Sequence, residues 1–190
     1  MRKNPPNKSE NSYIDKLARI HDNVNIDEAV YVGAFCLIGS SPEIKGFTGP
    51  GYGVVIRSGT TITGLTTIDA GSKRATEIGK NCLIMKHCHI GHDAIIGDNV
   101  TMSPFASVGG HSIIWAYAVL GMHSVVHQNH ELAPGAMLGM GCVLPKSVNT
   151  EPFTIYTGNG QRLRDNYKLI DSLPVEEVQR LTEAWNNRNK

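Results

Sequence analysis

Aliphatic residues return at every sixth position without a break from Ile78 to Leu144: Ile78, Ile84, Ile90, Ile96, Met102, Val108, Ile114, Leu120, Val126, Leu132, Leu138 and Leu144. Such a period fits no 3.6-residue helical face. It fits a short strand followed by a corner. Strands stacked about 4.8 Å apart pair their backbones between coils, and the aliphatic residues then stack into one continuous core. Four positions after each aliphatic residue the side chain is small in nearly every hexad, His130 being the exception. The same register recurs upstream at Ile20, Ile26, Val32 and Ile38, then at Ile56, Ile62 and Ile68. With three flat faces per coil, these hexads predict about six turns of a prism-shaped solenoid. The expected fold class is therefore all-β, a parallel β-helix, closed by a short C-terminal α-helix.

Segment boundaries follow from the same register. Residues 1–12 are polar, contain two prolines and are expected to be a flexible N-terminal tail. Residues 13–150 form the β-helix, interrupted by a glycine-rich loop at 44–55 and a shorter insertion between Asp69 and Ile78. Counted in threes, the hexads at Ile38, Ile68, Ile90, Val108, Val126 and Leu144 share one face, and both insertions leave the corner after it. Residues 151–190 form an irregular segment and then a helix, with Ser172 as N-cap, Pro174 in the first turn and an end near Arg188. Val175, Val178, Leu181 and Trp185 are spaced to give that helix one apolar face.

Composition narrows the functional classes. Lys plus Arg (18) nearly balances Asp plus Glu (17), which gives no electrostatic footprint for nucleic acid or an anionic membrane. No apolar run is long enough for a membrane span and the start lacks a signal-peptide core, so a cytoplasmic protein is expected. All four cysteines (Cys36, Cys82, Cys88 and Cys142) occupy the small inward position and read as packing groups.

Histidines mark the candidate site. His92, His111 and His127 fall on successive coils of the shared face, and coil stacking brings them into a column. Glu43, Asp69 and Asp93 map to the same face or its edge. An imidazole titrating near neutrality suits proton abstraction from a hydroxyl or amine, and a carboxylate can orient the ring and stabilise imidazolium. His92 with Asp93 is the candidate dyad. Adjacent strand residues point to opposite sides, so this pairing requires the corner to bend there. The spacing of His87 and His92 is also similar to that of zinc ligands in γ-class carbonic anhydrases. However, no histidine lies between His21 and His87 to supply a third ligand, and His87 maps to a different face, so no metal is expected.

A more specific likeness lies in the run NCLIMKHCHIGHDAIIG (Asn81 to Gly97), together with IGSSPEIKG (Ile38 to Gly46), VGGH (Val108 to His111), GMHSVVHQ (Gly121 to Gln128) and TGN (Thr157 to Asn159). In this order the motifs resemble the UDP-N-acetylglucosamine acyltransferase family of lipid A synthesis over roughly Ile20 to Asn159. That resemblance implies a left-handed helix, a homotrimer and active sites between neighbouring subunits. It implies catalytic roles for His92 as general base, Asp93 as its orienting partner and the Gly110 amide as oxyanion donor. It further implies that Glu43, Lys45, His89, His111, His127, Gln128 and Asn159 bind substrate. Asp69 joins this set, standing where the family has a histidine. The donor would be acyl carrier protein or a coenzyme A thioester, with no bound cofactor. At the C-terminus one short helix is expected in place of the family's longer helical domain. Three other readings stand beside acyl transfer from carrier protein: an acetyl-coenzyme A dependent sugar acetyltransferase, a γ-class carbonic-anhydrase-like zinc protein and a noncatalytic scaffold.

Overall fold

The computed structural model describes residues 11–189 and the backbone of residues 7–8; the tail expected over 1–12 falls largely outside them. Short parallel strands, most of them two residues long, stack into three sheets of seven, nine and seven strands. Every third strand in sequence belongs to the same sheet, which is the topology of a parallel β-helix with three faces. The register is that of the hexads. Ile90 pairs with Ile68 on one side and Val108 on the other, and the series continues through Val126 to Leu144.

The inward aliphatic residues form the core. Ile62, Ile68, Ile84, Ile90, Met102, Val108, Leu120 and Val126 are all fully buried. Burying a side chain of this size contributes about 1.5–3 kcal/mol, and each ladder hydrogen bond ties one coil to the next. Most corners are made by the third residue after an inward aliphatic, which adopts a left-handed backbone, as in Asn81, Asn99, Tyr117 and Asn129. Seven coils contribute a strand to every face, and an eighth turn begins on the second face. This exceeds the expected six turns. The added first coil includes strands Asn7–Lys8 and Tyr13–Ile14, where Ile14 extends the six-residue spacing. All four cysteines are buried and unpaired, and burial pushes the Cys82 and Cys88 thiols up to about 11.

Two departures concern the C-terminal segment. The stretch expected to be irregular holds a hairpin, Thr154–Thr157 with Gln161–Asp165, whose first strand pairs parallel with Met137–Leu138 and whose second returns antiparallel. The polar second strand covers an edge that would otherwise present unpaired backbone groups. After the short helix α1 (Tyr167–Ile170), α2 runs over Val175–Asn187 with Pro174, not Ser172, at the N-cap position. Ser172 cannot cap because its hydroxyl is donated backwards to Leu169 O at 2.8 Å. Leu181 and Trp185 are buried, whereas Val175 stays exposed. Trp185 packs edge-on against Trp115 with ring centroids 5.5 Å apart, while Glu131 accepts from Trp115 Nε1 and pairs with Arg188. Helix α2 therefore sits on the first face and leaves the third face, with the histidines, uncovered.

Candidate active site

Both excursions leave the corner after the third face. One spans residues 41–53, between strands Leu37–Ser40 and Val54–Ile56; the other spans 70–75, between Thr67–Asp69 and Thr76–Ile78. The corner after strand His89–Ile90 lies one coil beyond the shorter excursion. There Asp93 takes a left-handed backbone (φ 62°), which turns its side chain back beside His92. The bend that the dyad requires is thus present. His92 Nδ1 donates to Asp93 Oδ2 at 2.7 Å, and Asp93 is fully buried.

Burial opposes the charge on Asp93, yet donors from Ser72, His92 and Lys73 outweigh it and hold the carboxyl well below the usual range. Oδ1 accepts from the amides of Ser72 (3.0 Å), Lys73 (2.7 Å) and Arg74 (3.0 Å), and Oδ2 accepts from Ser72 N (2.9 Å) and Ser72 Oγ (2.7 Å). The Arg74 guanidinium donates to Asp93 O through Nε and Nη2. Consecutive amides converging on one anion form a concave nest. Gly71 permits this path, because a Cβ there would lie 1.5 Å from Arg74 O.

The His111 ring meets His92 edge-on, with centroids 4.9 Å apart, and its Nε2 lies 3.7 Å from Asp93 Oδ2. Burial lowers the His111 pKa; Asp93 opposes the shift, while His92, Lys73 and Arg74 reinforce it. Gly110 lies against His92: a Cβ on it would come within 2.8 Å of the ring's Cε1 and Nε2. Its N–H meets no protein acceptor among the described residues. One coil before His89, Thr67 Oγ1 bonds His89 Nδ1 at 2.8 Å. Asp69 is buried and accepts from Ser40 Oγ at 3.3 Å. Burial raises the Asp69 pKa; Glu43 raises it further, and His89, Ser40 and His92 oppose.

The remaining candidates are more open. Glu43 and Lys45 are exposed on the 41–53 excursion, and His127 and Gln128 are exposed on the coil after His111, with His127 Nδ1 bonded to Gln128 O. The expected column is thus a close His92–His111 pair; no ring contact joins His127 to His111 among the described residues. Asn159 is exposed in the hairpin turn, whose Gly158 O accepts from Val143 N on the last coil of the third face. His87 stacks on Phe105, and Phe105 on His123, at the corner between the second and third faces. His87 is therefore no partner for His92. One ligand atom from each of His92, Asp93 and His111 lies within 4.8 Å of the others, but both oxygens of the Asp93 carboxylate already accept several hydrogen bonds. Sequence reasoning missed Ser72, Lys73 and Arg74. Their signal was a short insertion one coil above Asp93 in the six-residue count.

A three-faced parallel β-helix with a histidine–carboxylate pair at one corner defines the hexapeptide-repeat transferase class. In agreement, the family described as bacterial transferase hexapeptide (six repeats) matches residues 75–110. The acyl-[acyl-carrier-protein]–UDP-N-acetylglucosamine O-acyltransferase of Campylobacter concisus is 30% identical over 182 residues, covering 92% of this chain and 68% of that protein. The enzyme of the same name from Nautilia profundicola is 30% identical over 137 residues, covering 70% of this chain and 52% of that one. The chain belongs to this O-acyltransferase family. It spans about half to two thirds of the length of these curated relatives. The Francisella novicida UDP-N-acetylglucosamine acyltransferase structure shares the fold, with a TM-score of 0.72 at 20% identity over 94% of this chain and 78% of that one.

Proposed function

We propose that this protein transfers an acyl group from acyl carrier protein to a hydroxyl of UDP-N-acetylglucosamine, the reaction named for its relatives. The observation that carries the reading is the His92–Asp93 pair with the unengaged Gly110 amide beside it. His92 Nε2 takes the proton as the sugar oxygen attacks the thioester carbonyl, and Asp93 stabilises the imidazolium that forms. The Gly110 N–H receives the negative charge developing on the carbonyl oxygen. Collapse of the tetrahedral intermediate releases the thiol, with the proton returned from His92. Glu43, Lys45, Asp69, His89, His111, His127, Gln128 and Asn159 line the acceptor and donor sites along the same face.

The working assembly in this reading is a homotrimer whose grooves lie between neighbouring subunits. Support comes from exposed apolar side chains along and beside the corner bordering the site face, among them Phe35, Leu65, Phe105, Met122 and Met140. Lys146, Arg164 and Lys168 are exposed and suit an acidic carrier protein, while Arg162 is tied to Glu151 and Asp165. Four unpaired thiols fit a reducing compartment such as the cytoplasm. Among the described residues no helix is long and apolar enough to cross a membrane.

The test is thiol release by the purified chain from 3-hydroxyacyl carrier protein and from acetyl-coenzyme A, with UDP-N-acetylglucosamine as acceptor and His92→Ala as control. Turnover with the carrier protein that disappears in the control is expected. Turnover with acetyl-coenzyme A alone would replace the donor, and turnover surviving in the control would remove His92 as the base.

A further inference from the structure

The excursion at 70–75 lies outside the residues that would touch either substrate, yet it contributes more hydrogen bonds to the site than any other segment described above. Asp93 Oδ1 is filled by three amides, and Oδ2 by Ser72 N, Ser72 Oγ and His92. Asp93 N donates to Thr76 Oγ1 at 2.9 Å, and Asp93 O is held by Arg74. Every polar atom of Asp93 is thereby committed, and among the described residues His92 is its one hydrogen-bond partner outside this loop and its following strand, with His111 Nε2 farther off at 3.7 Å.

We propose that this excursion is a clamp that sets the protonation pattern of the dyad, with Ser72 as a positioning residue. The inference rests on the reading of His92 as the general base. An ionised carboxylate only accepts hydrogen bonds, so the group facing Oδ2 from His92 must be Nδ1–H. The neutral ring then carries its lone pair on Nε2, at the edge facing Gly110. His111 does not hydrogen-bond the carboxylate, since its Nε2 lies 3.7 Å away, beyond hydrogen-bond range. Ser72 is the one side chain of the clamp that donates to Oδ2, the oxygen that His92 also uses. Its hydroxyl fixes where that oxygen points and, through it, which nitrogen of His92 is the base. Lys73 and the Arg74 amide act through backbone atoms, which side-chain replacement leaves in place.

The test compares Ser72→Ala and Ser72→Thr with the full-length parent chain in two arms. Nitrogen-15 NMR of the histidine rings reads the His92 tautomer without turnover. Steady-state thiol release then separates kcat from KM. The parent should hold His92 as the Nδ1–H tautomer. Ser72→Ala should show a mixture and lose about tenfold in kcat with KM within twofold, as expected for losing one charge-assisted bond. Ser72→Thr should return kcat to within about threefold, because it keeps the hydroxyl. An alanine variant with the parent tautomer and the parent kcat would overturn the clamp. So would a kcat loss that threonine fails to restore while the tautomer stays unchanged. If the parent releases no thiol, the acyltransferase reading fails, and the NMR arm still decides the clamp.

Discussion

Two loops leave the same corner of this solenoid and do opposite things. The longer, at 41–53, is rich in glycine and mostly exposed, and it carries Glu43 and Lys45 out beside the groove. The shorter, at 70–75, folds its amides onto a buried carboxylate and exposes little beyond the Lys73 and Arg74 side chains. A Cβ added at Gly46 would meet nothing within 4 Å, whereas one at Gly71 would overlap the Arg74 carbonyl. Length and glycine content mark the first loop as the conspicuous insertion. Hydrogen bonding marks the second as the one that holds the Asp93 carboxylate in place. A loop that contacts ligand can be open, but a loop that positions a charged group has to be packed.

The largest effect should come from His92→Ala, on which both loops converge. The kcat should fall about a thousandfold, the upper part of the range for a general base, while circular dichroism and the melting temperature stay near the parent's. Loss of structure instead would mean that the ring is a packing element and that the two loops surround no reaction centre.

Asp93→Asn should follow, with kcat down about a hundredfold and stability at pH 7 reduced by about 2–3 kcal/mol, because an amide nitrogen now faces part of the nest. The folded-state pKa of Asp93 lies below its unfolded value of about 3.9. Its contribution is therefore complete above about pH 4 and declines as pH falls toward the folded value. Urea melts of parent and variant at pH 7 and at pH 3 should show the gap narrowing at pH 3. A gap unchanged between the two pH values would place the stabilisation elsewhere in the short loop.

Gly71→Ala and Gly46→Ala compare the loops directly. The first should lower kcat some tenfold to thirtyfold and cost about 1–3 kcal/mol, since the added methyl forces the turn away from Asp93. The second should leave kcat within twofold and cost about 1 kcal/mol from its left-handed backbone alone (φ 80°). Equal effects would erase the distinction between a positioning loop and a contact loop. The smallest change in chemistry belongs to Lys45→Ala, for which acceptor KM should rise about tenfold at constant kcat and constant melting temperature. A kcat loss there would draw the long loop into the catalytic machinery.

How much of this could be read in advance varies by residue. The face shared by Ile90, Val108 and Val126 follows from counting sixes, and it brought His92 and His111 together as expected, whereas His127 makes no ring contact with them among the described residues. The first coil was undercounted because its hexads include Lys8, which carries the register without an aliphatic side chain. The hairpin at 154–165 escaped because its second strand, Gln161–Asp165, pairs at an edge and turns no hydrophobic residue inward. Val175 kept the helical spacing yet lies exposed at the start of α2, while the packing on the first face is made by Leu181 and Trp185.

The sequence by itself determined the period, and the period determined the solenoid, its faces and the neighbourhood of the histidines. Stacked coils leave no other place for a large aliphatic residue at every sixth position. Only the tertiary structure decided that Asp93 turns back onto His92, that three successive amides close on its carboxylate and that Gly110 lies against the His92 ring. The nest is made by backbone amides, which every residue carries alike, and the His92–Asp93 bond depends on the backbone turn at Asp93. Their direction comes from the path of the chain, set by left-handed corners and by the coil above, and no side-chain pattern encodes that path.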